Sequence, residues 1–213
     1  MRNLIIRNFK KEDKNIICQI CFNTALYGQP IKKYIKEKSL IAETFLEYYI
    51  RFEPENIIIA ETDGQVVGYL AGCFDTKNYE KKFIFILPRI LQLFFIKGYF
   101  FKISSWKLVL DSIRSGLKWN EFHSKHLLKA YPAHFHIDID GKFQGQGIGA
   151  MLIKAFINSL KKNNICGVHL DTATEGGKKF FYKMGFSVIS KYKTSTFFHL
   201  TPRELWVMVR KLK

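Results

Sequence analysis

The residues Gly141-Lys142-Phe143-Gln144-Gly145-Gln146-Gly147-Ile148-Gly149-Ala150 join two differently patterned segments and hold four glycines in nine positions. Glycines let a backbone approach a ligand without interference from Cβ, and the amides and dipole at the start of a helix attract an anion. The chemistry implied is a cradle for phosphate or pyrophosphate at the N-terminus of the helix that follows. Immediately upstream, residues 133–140 read Ala-His-Phe-His-Ile-Asp-Ile-Asp. That period of two puts His134, His136, Asp138 and Asp140 on one face of a strand. Imidazole is the side chain best suited to take up a proton near neutral pH, and a neighbouring carboxylate can orient it. The same H-x-H-x-D spacing also fits half of a metal site or a buried hydrogen-bond network, and no metal is assigned from it.

A glycine loop of this kind has several uses. A Walker A loop is excluded, because no Lys-Ser or Lys-Thr follows the glycines. A dinucleotide fingerprint fits better, since Gly145-x-Gly147-x-x-Ala150 matches G-x-G-x-x-A and Asp171 ends the next strand. Two observations count against it. The first strand of a dinucleotide fold is buried on both faces and continuously apolar, whereas this one is polar at alternate positions. The chain after Asp171 is also too short for the rest of a doubly wound sheet.

Gln144-x-x-Gly147-x-Gly149 resembles the Q/R-x-x-G-x-G/A cofactor motif of the GNAT acetyltransferase superfamily, and Phe181-Tyr182-Lys183-Met184-Gly185-Phe186 resembles its F-Y-x-x-x-G-F signature. The order of loop, helix, Gly167–Asp171 strand and second signature strengthens the likeness, which is clear over about residues 130–190. Upstream, the strand from Tyr131, the Gly68–Thr76 hairpin arm and the segment between them resemble a subgroup that includes the acetyltransferase-like domain of some O-GlcNAcases.

The resemblance implies an α/β (α+β) fold: a single mixed, mostly antiparallel sheet with helices on both faces and a helical insertion, all in one domain over residues 1–213. It implies acetyl-CoA as acyl donor and transfer to the primary amine of a small molecule or peptide, by direct attack in a ternary complex. A catalytically degenerate module that binds CoA or a protein partner is the alternative. Backbone groups of Ile137 and Ile139 would pair with the pantetheine arm. The pyrophosphate would lie on amides of Gln144, Gly145, Gln146, Gly147, Ile148, Gly149 and Ala150, and Tyr182 would protonate the departing thiolate. The family often carries N-x-x-A-x-x-F-Y. Aligned on Tyr182, Glu175 stands for the Asn that contacts pantetheine and Lys178 for the small residue, which departs from the pattern. The attacking amine must be neutral, so a base is needed, and His136 or His134, oriented by Asp138, is the chemical candidate. His169 reads as structural.

These groups need a scaffold, and the patterning supplies one. Leu4 to Arg7 is a short strand, and Asp13 is expected to cap a helix carrying Ile16, Ile17, Ile20 and Cys21. A second helix is expected from about Ser39 to Arg51. Asn56–Glu61 and Val66–Phe74 form a hairpin across Asp63-Gly64. Helices are expected at Gly147–Asn163 and Lys178–Met184, and strands at Gly167–Asp171, Phe186–Ser190 and Leu205–Arg210. About residues 78–131 form an aromatic-rich helical insertion that covers the core or makes a homodimer contact, with an interfacial membrane helix or an apolar lid as alternatives. Pro88, Arg89, Gln92 and Lys97 interrupt it too often for a transmembrane span.

Of the 213 residues 47% are hydrophobic and 24% charged, enough for a core and far from disorder. Lys and Arg outnumber Asp and Glu 34 to 18, a net charge of +16. The cations are dispersed in nothing longer than pairs of lysines, so a solvated basic surface is expected rather than a nucleic-acid groove. The charge gives weak support to an anionic cofactor. Four cysteines without a leader make no disulfide framework, and a reducing cytoplasm is the expected compartment. Cys18 and Cys21 fall on an apolar helix face and read as core.

Overall fold

The structure, a computed structural model, describes residues 3–24, 45–101, 106, 122–194 and 203–212. Seven strands form one sheet: β1 (Leu4–Asn8), β2 (Ile57–Thr62), β3 (Gln65–Cys73), β4 (Ala133–Ile139), β5 (Gly167–Thr172), β6 (Ser187–Thr194) and β7 (Arg203–Lys211). Their order is β1-β2-β3-β4-β5-β7-β6, and every neighbouring pair is antiparallel except β4 and β5. The β2–β3 turn is built by Asp63 and Gly64, both at positive φ (50° and 76°), the backbone that a tight hairpin with right-twisted arms requires.

Apolar residues alternate across the sheet and create two cores. On one face Ile57, Ile59, Tyr69, Ala71 and Cys73 meet Ile17, Ile20 and Cys21 of α1 (Lys14–Thr24) and Tyr48 and Tyr49 of α2 (Glu47–Phe52). On the other, Leu70, Phe135, Val168, Leu170 and Met208 meet the long helix Ile148–Lys162, whose Ile148, Leu152, Phe156 and Leu160 recur at helical spacing. Cys18 and Cys21 are buried on α1, as their spacing implies.

The insertion contributes α3 (Thr76–Phe83), α4 (Leu87–Ile96) and, just before β4, α5 (Lys125–Ala130). Asp75 caps α3 by accepting from the amides of Lys77 and Asn78. The helix Ile148–Lys162 is therefore α6, and Glu175–Lys183 is α7. Residues 102–105 and 107–121 of the expected insertion, and 39–44 of the expected second helix, lie outside the described residues.

Asp13 differs from expectation. It closes a short 3-10 turn before α1, and its carboxylate accepts from the Lys10 amide at 2.8 Å and from both terminal nitrogens of Arg7 at 2.7 and 2.8 Å. Arg7 reaches Glu61 as well, at 2.7 Å. Asp13 thus ties α1 to the sheet edge, and the Arg7 hydrogen bond holds its carboxyl below the usual value. A half-buried cation with two carboxylates within reach outcompetes a helix terminus.

Candidate active site

Strands β4 and β5 pair at Ala133 with Val168 and His134 with His169, then part. From Phe135 onward β4 is bonded to β3 alone. The Asp140 amide donates to the Val67 carbonyl at 2.9 Å, so residues 136, 138 and 140 turn their main-chain groups to β3 and residues 135, 137 and 139 turn theirs to the gap. Gln144 Nε2 donates to the Ile139 carbonyl at 3.0 Å, consistent with that parity. Ile137 and Ile139 therefore offer backbone to anything lying between the strands.

The glycine loop closes the end of this gap. Asp140 leaves the strand and accepts from the Lys142 amide at 3.0 Å, capping a 3-10 turn over Gly141–Phe143, so it does not extend the polar face. Gln146 Nε2 donates to the Lys142 carbonyl at 3.2 Å. Gly147 caps α6 with φ at 82°, and the first intrahelical bond runs from the Met151 amide to the Gly147 carbonyl. The amides of Ile148, Gly149 and Ala150 thus point along the axis without helical partners. A Cβ on Gly147 would meet nothing within 4 Å, which leaves the space beside the cap open. Gly149 faces the other way: its Cβ would lie 3.1 Å from Phe180 Cζ and 3.2 Å from Ile139 Cδ1. Its smallness lets α6 sit close to β4 and α7.

His134, His136 and Asp138 share the opposite face of β4, as the alternation requires, but they have separate partners. Thr76 Oγ1 donates to the Pro132 carbonyl at 2.7 Å, so at 2.7 Å from His134 Nδ1 it must accept. His134 is then the Nδ1–H tautomer, and its Nε2 accepts from the Tyr49 hydroxyl at 3.0 Å. Burial first, then the neighbouring histidines His169, His123 and His136, push its pKa well below 6.5. Both ring nitrogens are occupied, so His134 is a framework residue and not an available base.

His136 is different. The Tyr69 hydroxyl donates to Asp138 Oδ2 at 2.7 Å and lies 3.1 Å from His136 Nδ1. With its single proton directed to the carboxylate, the phenol oxygen accepts from Nδ1–H. That leaves His136 Nε2 with a lone pair, in a half-buried ring stacked on Tyr69. Burial raises Asp138, partly offset by His136 and by hydrogen bonds from Tyr69 and Thr24. Burial likewise raises the Tyr69 phenol and the Cys21 thiol, which is also hydrogen-bonded to Tyr69. Ligand atoms of Cys21, His136 and Asp138 lie within 4.8 Å of one another, a spacing a metal could use. The Tyr69 hydroxyl stands among them and joins them as a hydrogen-bond network instead. Tyr69 was invisible as a site residue in the sequence: its signal was one hydroxyl-bearing residue in an apolar strand, and its partner across the sheet needs the register.

The structure does not bring Tyr182 to this group. Its side chain is 70% exposed on α7, while Phe181 is buried against Phe135 and Phe186 and Phe180 lies beside Gly149. The signature explains why. F-Y-x-x-x-G-F needs three residues before the glycine, and Tyr182 has two before Gly185, so Phe181 takes the tyrosine position. The same count moves the Asn position from Glu175 to Thr174 and the small position from Lys178 to Gly177. Thr174 caps α7 by accepting from the Gly177 amide at 3.0 Å. A Cβ on Gly177 would come within 2.4 Å of Thr172 Oγ1, so a minimal residue is required there. Glu175 is an exposed partner of Lys178 at 2.8 Å; in the shifted frame Gly177 fits the small position, while Thr174 still stands where the pattern has Asn. His169 is structural, donating from Nδ1 to the Tyr131 carbonyl at 2.8 Å.

Residues 128–205 match the family described as Acetyltransferase (GNAT) domain. That match spans a little over a third of the chain. Solved structures place the whole architecture in the same fold. The structure described as SsHAT aligns with a TM-score of 0.73 at 23% identity over 99% of each chain. A Drosophila melanogaster polyamine N-acetyltransferase, which forms N-acetylagmatine, aligns at 0.66 with 11% identity over 99% of this chain and 100% of its own. A Salmonella typhimurium structure solved with its cofactor acetyl-CoA aligns at 0.62 with 13% identity over 99% of this chain and 95% of its own. Among the described residues no helix is long and apolar enough to cross a membrane.

Proposed function

We propose that the chain, as one domain over residues 1–213 with its insertion at about 78–131, transfers the acetyl group of acetyl-CoA to a primary amine in a ternary complex. The observation that carries this reading is the β4–β5 gap, where the Ile137 backbone and the Ile139 amide face away from β3, with a glycine-capped helix at one end and His136 on the adjoining face. In this reading the pyrophosphate rests on the amides from Gln144 to Ala150, and the pantetheine arm pairs with Ile137 and Ile139. The thioester then reaches the polar face through the gap. The amine attacks the thioester carbon, the tetrahedral adduct collapses with loss of the CoA thiolate, and His136 Nε2 takes the proton from nitrogen. Phe181 has no hydroxyl to protonate the thiolate. A thiol with a pKa of ~8.5 is a tolerable anion and takes its proton from water. The likeness of the upstream segments to the acetyltransferase-like domain of some O-GlcNAcases, and a reducing cytoplasmic setting for the free thiols, belong to this reading and rest on the sequence.

The acceptor class proposed is a small-molecule or peptide amine. A panel of such amines, followed by release of free CoA thiol, tests it. His136→Gln is expected to lower turnover ~10²–10⁴-fold with acetyl-CoA affinity retained, the range that a positioned base contributes. Saturable acetyl-CoA binding without transfer to any class of amine would support the alternative, a CoA-binding module that has lost its chemistry. The buried phenylalanine at the tyrosine position is the observation that favours it.

A further inference from the structure

Helix α4, Leu-Pro-Arg-Ile-Leu-Gln-Leu-Phe-Phe-Ile, is apolar except at Arg89 and Gln92. One stripe, Ile86, Ile90 and Phe94, turns inward. The other turns outward, and Leu87, Leu91, Phe95 and Ile96 are 42%, 65%, 62% and 66% exposed. Around them Ile84, Phe85, Phe100, Phe101 and Trp106 are exposed too, so among the described residues nine of the fifteen large exposed apolar side chains fall between positions 84 and 106. An exposed apolar patch of this extent marks a contact surface.

The charges choose the occupant. Between Glu80 and Asp111 the sequence has no acidic residue and six basic ones, including Lys81, Lys82, Arg89 and Lys97. A second copy of the chain would bring its own cations against these, on a molecule already at +16. Nucleic acid would meet the cations but leave aliphatic and phenyl groups unsatisfied. An anionic bilayer satisfies both, with apolar side chains entering the acyl boundary and cations at the headgroups. We propose that the α4 surface docks on an anionic membrane, the helix lying in the interface without crossing it. α3 is anchored to the body, with Tyr79 packed edge-on against His134 at 4.8 Å, so the docked face stays fixed to the sheet that carries the site.

Co-sedimentation of the full chain with vesicles tests this, independently of any transferase activity. Binding is expected to vesicles of phosphatidylglycerol and phosphatidylcholine, to be much weaker to phosphatidylcholine alone, and to fall as salt is raised. Leu91→Asp with Phe95→Asp should reduce partitioning at least about tenfold, since each removes a large apolar group from the lipid boundary. Lys81→Glu should weaken it about fivefold or more, the worth of one cation at an anionic surface. Brominated lipid chains should quench tryptophan fluorescence of the unaltered protein, because Trp106 lies on this patch, which gives a readout that needs no variant. Three results would overturn the proposal: no binding to anionic vesicles, binding indifferent to lipid charge, or light scattering that shows a dimer abolished by the Leu91 and Phe95 substitutions.

Discussion

At the scale of residues, the site turns on which hydroxyl has a proton to give. Tyr69 spends its single proton on Asp138, and that choice fixes His136 as the Nδ1–H tautomer with Nε2 free. Tyr69→Phe removes the hub but keeps the ring, which is fully buried. Asp138 then loses a donor and the His136 ring loses the acceptor that orients it. Turnover is expected to fall about tenfold, equivalent to ~1.4 kcal/mol of lost positioning, with unchanged affinity for acetyl-CoA. Equal turnover in a folded variant would make the network a packing device. Tyr182→Phe is the contrasting case. With its hydroxyl in solvent, the substitution should leave turnover within about twofold. A loss of ~10²-fold or more would restore it as the general acid and show that α7 moves on cofactor binding.

At the scale of elements, two glycines two residues apart do different work. Gly147 holds the helix cap at a positive φ with open space beside it, whereas Gly149 is pressed between Phe180 and Ile139. Gly147→Val is expected to abolish measurable acetyl-CoA binding by calorimetry, because a branched side chain both strains the left-handed backbone and fills the approach to the α6 amides. Gly149→Val should act on stability instead, costing ~1–3 kcal/mol by displacing its two neighbours, and any loss of affinity should follow unfolding. Loss of binding at position 149 in a fully folded variant would contradict that division. The elements themselves were legible because their signals are local: the Asp63-Gly64 turn, the alternation of β4 and the apolar spacing of α6 each reside within a few residues. What escaped the sequence was relational. The partner of Tyr69, the capture of Asp13 by Arg7 and the occupation of both His134 nitrogens depend on contacts across the sheet. Tyr182 stands one position beyond the tyrosine of the motif, and the contrast between buried Phe181 and exposed Tyr182 shows the offset only in three dimensions.

At the scale of the whole molecule, histidines buried without charge make stability depend on pH. His169 is 2% exposed, and burial, only partly opposed by its bond to Tyr131, brings its pKa down from 6.5 to about 4. His134 is depressed in the same direction, and the rings of His134 and His123 lie 5.7 and 5.3 Å from that of His169. In the unfolded chain His134 and His169 take up protons near pH 6.5, while in the folded chain they resist. The unfolded state therefore binds more protons between about pH 6.5 and pH 4, and stability falls as pH falls through that window. For His169 alone the displacement from 6.5 to about 4 corresponds to ~3 kcal/mol. Asp138 acts in the opposite sense: its raised pKa makes the folded state protonate first as the solution is acidified, which offsets part of the loss. Asp13, held low by Arg7, gives up its contribution only below the ordinary carboxylate range. The net expectation is a urea midpoint that drops between about pH 7 and pH 4.5. The growing positive charge of a chain already at +16 acts in the same direction, so the variant His169→Gln separates the two. Glutamine can donate to Tyr131 but cannot titrate, and it should flatten the slope while general charge repulsion persists. An unaltered slope in that variant would assign the acid sensitivity to net charge and leave the buried histidines without a part in it.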